Sequence, residues 1–133
     1  MNNKSTSDIE KITNTLKNYS EAFKEWNYNK LTQAFHPEVS ISFVEDGELN
    51  TKKPYSLWKQ IFKKNKEKDP GIKYEIILEH IDHSNTLAFA RMKWLIESEK
   101  TIEDTIDYLI LMKFNSNWFI INKMVHTKTI SKE

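Results

Sequence analysis

Residues 102–127 hold two long apolar stretches joined by a short polar turn, and each stretch is apolar on both strand parities. Tyr108, Ile110 and Met112 alternate with Leu109 and Leu111; Phe119, Ile121 and Val125 alternate with Trp118, Ile120 and Met124. An amphipathic strand needs cover on one face only, whereas β-branched and aromatic residues at successive positions need it on two. A chain with such strands must place its sheet between other layers. Three polar side chains, Asp107, Asn122 and His126, interrupt the apolar sequence, and each requires a hydrogen-bond partner or a cavity.

At 133 residues the chain is expected to form a single domain over residues 1–133, with residues 1–6 disordered and residues 128–133 a frayed tail. Its 20 Lys and Arg nearly cancel 19 Asp and Glu, and a net charge of +1 gives too weak a field for nucleic acid or an anionic membrane to be an expected partner. Lack of cysteine excludes disulfides, thiolate nucleophiles and cysteine-ligated metals. No apolar run has the length of a membrane span, and residues 1–8 lack the apolar centre of a secretion signal, so a cytoplasmic protein is expected.

Ser7 and Glu10 have the spacing of a capping box, and Ile9, Ile12, Leu16, Tyr19, Phe23 and Trp26 follow at steps of three and four, which predicts a helix to about residue 26. Asn27 caps a second, short helix through Leu31, Ala34 and Phe35, ended at His36-Pro37 because the residue before proline is pushed out of helical geometry. A strand over residues 39–44 leads to the turn Asp46-Gly47, and residues 48–53 lead into a third helix over residues 54–66. The lysines of residues 63–68, with Glu67 and Asp69 beside them, read as a solvated helix end. Past Asp69-Pro70-Gly71 the pattern is strand throughout: residues 72–82, 86–97, 102–114 and 118–127. Helices first and long strands afterwards make an α+β fold, with three N-terminal helices packed on a long antiparallel sheet. Those helices can cover one face. The other is expected to be covered by a second copy of the chain, sheet against sheet, in an isologous homodimer.

Tyr19, the cap region at residues 27–31, Phe35-His36-Pro37, Asp107-Tyr108-Leu109, Lys113, Trp118, Ile120 and Lys123 together resemble the nuclear transport factor 2-like superfamily. Within it the chain is similar to the group labelled putative lumazine-binding, close to the SnoaL-like proteins. The resemblance spans nearly the whole chain and implies a cone-shaped, usually dimeric domain in which three helices and a strongly curved sheet enclose a pocket. Asn115-Ser116 stands where relatives often have Asp-Gly, a change that keeps a tight hairpin feasible.

With a two-residue turn at Asn115-Ser116, Leu111 pairs with Ile120, Leu109 with Asn122, Asp107 with Met124 and Thr105 with His126. That register gathers Asp107, Asn122 and His126 on one face; a shift of one residue sends Asp107 to the other. A carboxyl group among apolar neighbours can act as a general base, with His126 as electrostatic partner, and in the plainer reading Asp107 accepts a hydrogen bond from a Tyr or Trp and fixes the packing. His36 closes a helix, and the resemblance puts it near a cavity mouth; His80 and His83 flank a turn and are expected to be exposed. No two histidines have metal-ligand spacing with a carboxylate on the same element, so neither metal nor cofactor is expected. Aromatic residues line the helices, and Tyr19, Trp26 and Trp58, with His36 and Asn122, are the candidate ligand contacts.

Only two glycines occur, with no phosphate-cradling loop and no nucleophile elbow, which argues against phosphoryl transfer and covalent acyl chemistry. Three functions stay open. The first is a dimeric domain that binds a small, partly apolar, ring-shaped organic ligand between the helices and the concave sheet. The second is a cofactor-independent isomerase, dehydratase or cyclase with Asp107 as its base and His126 or His36 as partner. The third is a protein-interaction module that uses the sheet face or pocket rim. Fold analogy alone cannot choose among them.

Overall fold

The structure, a computed structural model, describes residues 7–66 and 69–132. In chain order the elements are α1 (Asp8–Glu25), α2 (Tyr28–Ala34), β1 (Phe35–Glu45), β2 (Glu48–Lys52), α3 (Tyr55–Lys64), β3 (Lys73–His83), β4 (Leu87–Glu97), β5 (Thr101–Phe114) and β6 (Asn117–Ser131). The expected disorder of residues 1–6 lies outside the described residues.

Each helix starts where its sequence can satisfy free amides. Ser7 Oγ accepts from the Glu10 amide at 3.3 Å, and Asn27 Oδ1 accepts from the Lys30 amide at 3.1 Å. The apolar stripe of α1 then buries Ile12, Leu16, Tyr19 and Ala22 against the sheet, while α3 buries Trp58 and Phe62.

Six strands form one sheet in the order β2-β1-β6-β5-β4-β3. Strands β3 to β6 are an antiparallel meander, as expected, but β1 lies parallel to β6. A crossover through α3 and the whole meander separates the two, so no hairpin dictates their direction. Strand β2 replaces the anticipated lead-in to α3: it returns along β1 from Glu45↔Glu48, through a turn in which Asp46 and Gly47 both have positive φ, 53° and 78°. The anticipated frayed tail is also corrected. β6 continues to Ser131, paired with Thr101, and Lys132 adds a backbone bond to Lys100 at 2.8 Å and an ion pair with Glu97 at 2.6 Å. Residue 133 lies outside the described residues.

All three helices cover the same, inner face. Its core joins Ile12, Leu16, Leu31 and Phe35 to Ala90, Met92, Leu109, Leu111, Trp118 and Ile120. The outer face keeps apolar residues in solvent, among them Tyr108 at 42 %, Met112 at 39 % and Met124 at 54 % exposure.

The first residue of α1 is tied to the β5–β6 hairpin. Asp8 accepts hydrogen bonds from Trp118 Nε1 at 3.1 Å and Lys113 Nζ at 3.2 Å. The Trp118 bond, followed by that from Lys113, holds the Asp8 carboxyl below its ordinary value of 3.8. A lowered folded-state pKa stabilises the fold fully above the unfolded value and progressively less as pH falls below it. We therefore expect Asp8→Asn to lower the urea midpoint at pH 7, and the gap from wild type to narrow below about pH 4. An equal gap at pH 7 and pH 3 refutes this account of the contact.

Candidate functional site

The site grows from one buried bond. Asp107 faces inward from the middle of β5, is 0 % exposed, and accepts a hydrogen bond through Oδ2 from the Tyr19 hydroxyl at 2.5 Å. Tyr19 lies on the buried stripe of α1, and Phe23 and Trp26 follow one and two turns later on the same side. Trp26 ends the helix with φ 54°, a left-handed conformation usually left to glycine, and its amide closes on the Ala22 carbonyl.

These aromatic rings and the sheet form a half-open cavity of about 290 Å³, lined by Tyr19, Phe23 and Trp26 from α1, Tyr74 from β3, Trp94 and Ile96 from β4, Glu103, Thr105 and Asp107 from β5, and Lys123 from β6. The rings meet edge-on or tilted: Tyr19 is 5.6 Å from Phe23 and 5.1 Å from Trp94, and Trp26 is 5.2 Å from Phe62. Lys123 lays its ammonium over two of them, 5.0 Å from the Tyr19 centroid and 5.8 Å from that of Phe23. Thr105 bonds across the strands to Thr127 at 2.9 Å. Two buried polar atoms of the lining residues, Asp107 Oδ1 and Trp94 Nε1, have no hydrogen-bond partner among the described residues.

Burial, and then the neighbouring Asp107 carboxyl, push the Tyr19 phenol well above its ordinary value of 10.0, so at neutral pH it is the proton donor of the pair. Burial also raises Tyr74, with smaller contributions from Asp69 and Glu103.

The anticipated trio of Asp107, Asn122 and His126 does not assemble. Phe114 does pair with Asn117 across the tight turn, and Leu111 with Ile120, but Ile110 then pairs with Asn122 and leaves Ile121 as an extra residue in β6. Beyond this bulge Asp107 faces Val125, while Asn122 and His126 stand opposite Ile110 and Ile106 on the outer parity. Asn122 accepts from Ser40 Oγ at 2.8 Å, and His126 lines an outer groove with Val44, Leu49 and Met124. His36 stacks on Phe114 at 4.8 Å, and its Nδ1 accepts from the Glu38 amide at 3.0 Å. Trp58 sits behind the cavity wall, packed on Phe35 at 4.7 Å and Phe23 at 5.6 Å. Of the candidates named from sequence, then, Tyr19, Trp26 and Asp107 meet at the cavity; His36, Trp58, Asn122 and His126 do not. Sequence reasoning missed Tyr74, Trp94, Glu103, Thr105 and Lys123 as lining residues. For Glu103 and Thr105 a signal existed, since they share the parity of Asp107. Among the described residues no group of three or more His, Asp or Glu is placed to hold a metal ion.

Solved structures share this fold. An NTF2-like protein of unknown function from Shewanella baltica OS155 is 22 % identical, with a TM-score of 0.73, covering 93 % of this chain and 98 % of its own. Another from Methylobacillus flagellatus KT is 23 % identical, with a TM-score of 0.70 and coverage of 93 % and 94 %. A protein described as a putative ketosteroid isomerase from Shewanella frigidimarina NCIMB 400 is 15 % identical, with a TM-score of 0.66 and coverage of 86 % and 94 %. At these identities the likeness defines an NTF2-like fold and nothing more. The family model described as putative lumazine-binding matches residues 7–126, and the chain belongs to that family. No curated protein matches it.

Removing the Tyr19 hydroxyl would leave both oxygens of a buried carboxyl without a donor. Tyr19→Phe is expected to cost about 1–3 kcal/mol in chemical denaturation, the range for a stranded buried acceptor. Because the phenol is raised in the folded state, its contribution is complete below pH 10 and lost as pH climbs past it. Tyr19 should ionise only as the protein unfolds, read from tyrosinate absorbance against Tyr19→Phe. An unchanged midpoint in the variant contradicts the bond's role.

Proposed function

We propose that this chain is a small-molecule-binding domain, dimeric through the outer face of its sheet, that holds a compact ring-shaped ligand between α1 and the inner face of the sheet. The observation that carries this reading is an aromatic-walled cavity lined by a fully buried acid, Asp107, whose Oδ2 is engaged by Tyr19. A general base must reach the proton it removes, directly or through one water. Here one carboxyl oxygen already holds Tyr19, and among the described residues no histidine lines the cavity beside it. This favours binding over the isomerase, dehydratase or cyclase reading, in which the buried Oδ1 of Asp107 would have to reach a substrate proton with no histidine partner beside it.

The size of the cavity sits at the low end for ligand pockets, which suits one or two fused rings rather than a long chain. Flat walls of Phe23, Trp26, Tyr74 and Trp94 favour a planar occupant. The lumazine in the family's description is a molecule of that shape. Dimerisation is supported by the outer face, where Tyr108, Met112, Met124 and Leu87 stay exposed beside Arg91, which donates to Tyr108 and to Glu79 at 2.7 Å. The same face would serve the interaction-module reading if its partner were a different protein.

Native mass spectrometry on freshly purified protein tests the binding reading. A non-covalent adduct in the mass range of one or two rings is expected, together with its loss in Trp26→Ala, which removes a wall while leaving the Tyr19–Asp107 bond. Protein free of adduct, with no response to a library of planar heterocycles by thermal shift, removes the reading. Light scattering tests the dimer: twice the chain mass is expected for wild type, and a shift toward one chain mass for Met124→Glu. A wild-type monomer at micromolar concentration would leave the outer face without the proposed cover.

A further inference from the structure

Resting on the binding reading above, we infer that the ligand is a planar monoanion, an aromatic carboxylate or ring oxyanion, whose negative group is held by Lys123. Three observations converge on this residue. Lys123 is half-buried and lines the cavity, with its ammonium between two aromatic faces rather than extended into open solvent. Among the described residues no carboxylate lies within ion-pair distance of it, whereas eight other ion pairs form on this chain. The acid closest to it in register, Asp107, lines the same cavity but turns its Oδ2 to Tyr19 and stays beyond ion-pair distance of Lys123.

A half-buried cation held only by ring quadrupoles is under-compensated, and a charge-assisted hydrogen bond from an anion is the interaction its surroundings leave open. Two acidic residues, Asp107 and Glu103, also line the cavity, and they decide how much negative charge can enter. Glu103 pairs with Ile96, and Lys123 with Leu109, so the two are six β5 positions apart in register, about 20 Å of strand. The cation of the lining thus stands at one end, with Asp107 near it bonded to Tyr19, and Glu103 stands at the other. A single anionic group fits the first end. A dianion such as a phosphate ester would bring its second charge toward the acidic strand with no other cation in the lining to meet it.

Three isosteric two-ring probes test the inference by calorimetric titration: 2-naphthoate, neutral 2-naphthamide and cationic 2-naphthylmethylammonium. We expect 2-naphthoate to bind about tenfold more tightly than 2-naphthamide, which corresponds to about 1.4 kcal/mol, and the cation to bind most weakly. Lys123→Gln should bring the first two probes to equal affinity, while Lys123→Arg keeps the preference. A readout on wild type alone guards against a variant that fails to fold: 2-naphthoate should shift the Lys123 side-chain NMR resonances more than 2-naphthamide does. Equal binding of 2-naphthoate and 2-naphthamide, a preference for the cation, or a preference that survives in Lys123→Gln overturns the inference while the cavity reading stands. Failure of all three probes to bind overturns both.

Discussion

A carboxyl group with no solvent exposure has to be given a donor by the fold, and for Asp107 that donor comes from 88 positions away in the chain. The Tyr19 hydroxyl ties α1 to the middle of β5 and fixes how deeply the helix rides on the sheet. Once Tyr19 is set, helical spacing sets Phe23 and Trp26, and these two rings become the roof of the cavity. Cavity and bond are thus one structure.

Much of this was legible in the sequence, for reasons that can be named residue by residue. The helical stripe from Ile12 to Tyr19 and the cap residues Ser7 and Asn27 announce themselves because helix chemistry is local. The hairpin at Asn115-Ser116 formed as its spacing suggested. The expectation that Asp107 accepts from a Tyr needed only the rule that buried polar groups are satisfied. Strand β2 was hidden because Glu48–Lys52 is an exposed edge strand with little apolar pattern to read. Residues 128–131 were hidden for a related reason: backbone pairing with β5 is indifferent to polar side chains, so a sequence that reads as a tail is the end of a long strand.

The grouping of the polar residues was not legible at all. Ile121 is as good a strand residue as its neighbours, and nothing in its chemistry marks it as the one without a partner. Long-range satisfaction decides such a point: in the structure Asn122 reaches Ser40 on the parallel neighbour β1, a contact no local pattern encodes. The one charged lining residue outside β5, Lys123, owes its place to the same irregularity.

That irregularity makes β6 a strand read in two frames. Drawing Ile121 into the ladder opposite Ile110 would exchange the two sides of everything after it in one step. Lys123, Val125 and Thr127 would turn to the exterior, and Asn122, Met124 and His126 would turn toward the chamber. Deleting Ile121, by contrast, would leave Asn122 opposite Ile110 and every later pair as it is, so a slip of register rewrites interior and exposed surface together where a loss of this residue does not. Retuning of either side by substitution therefore depends on Ile121 staying outside the ladder.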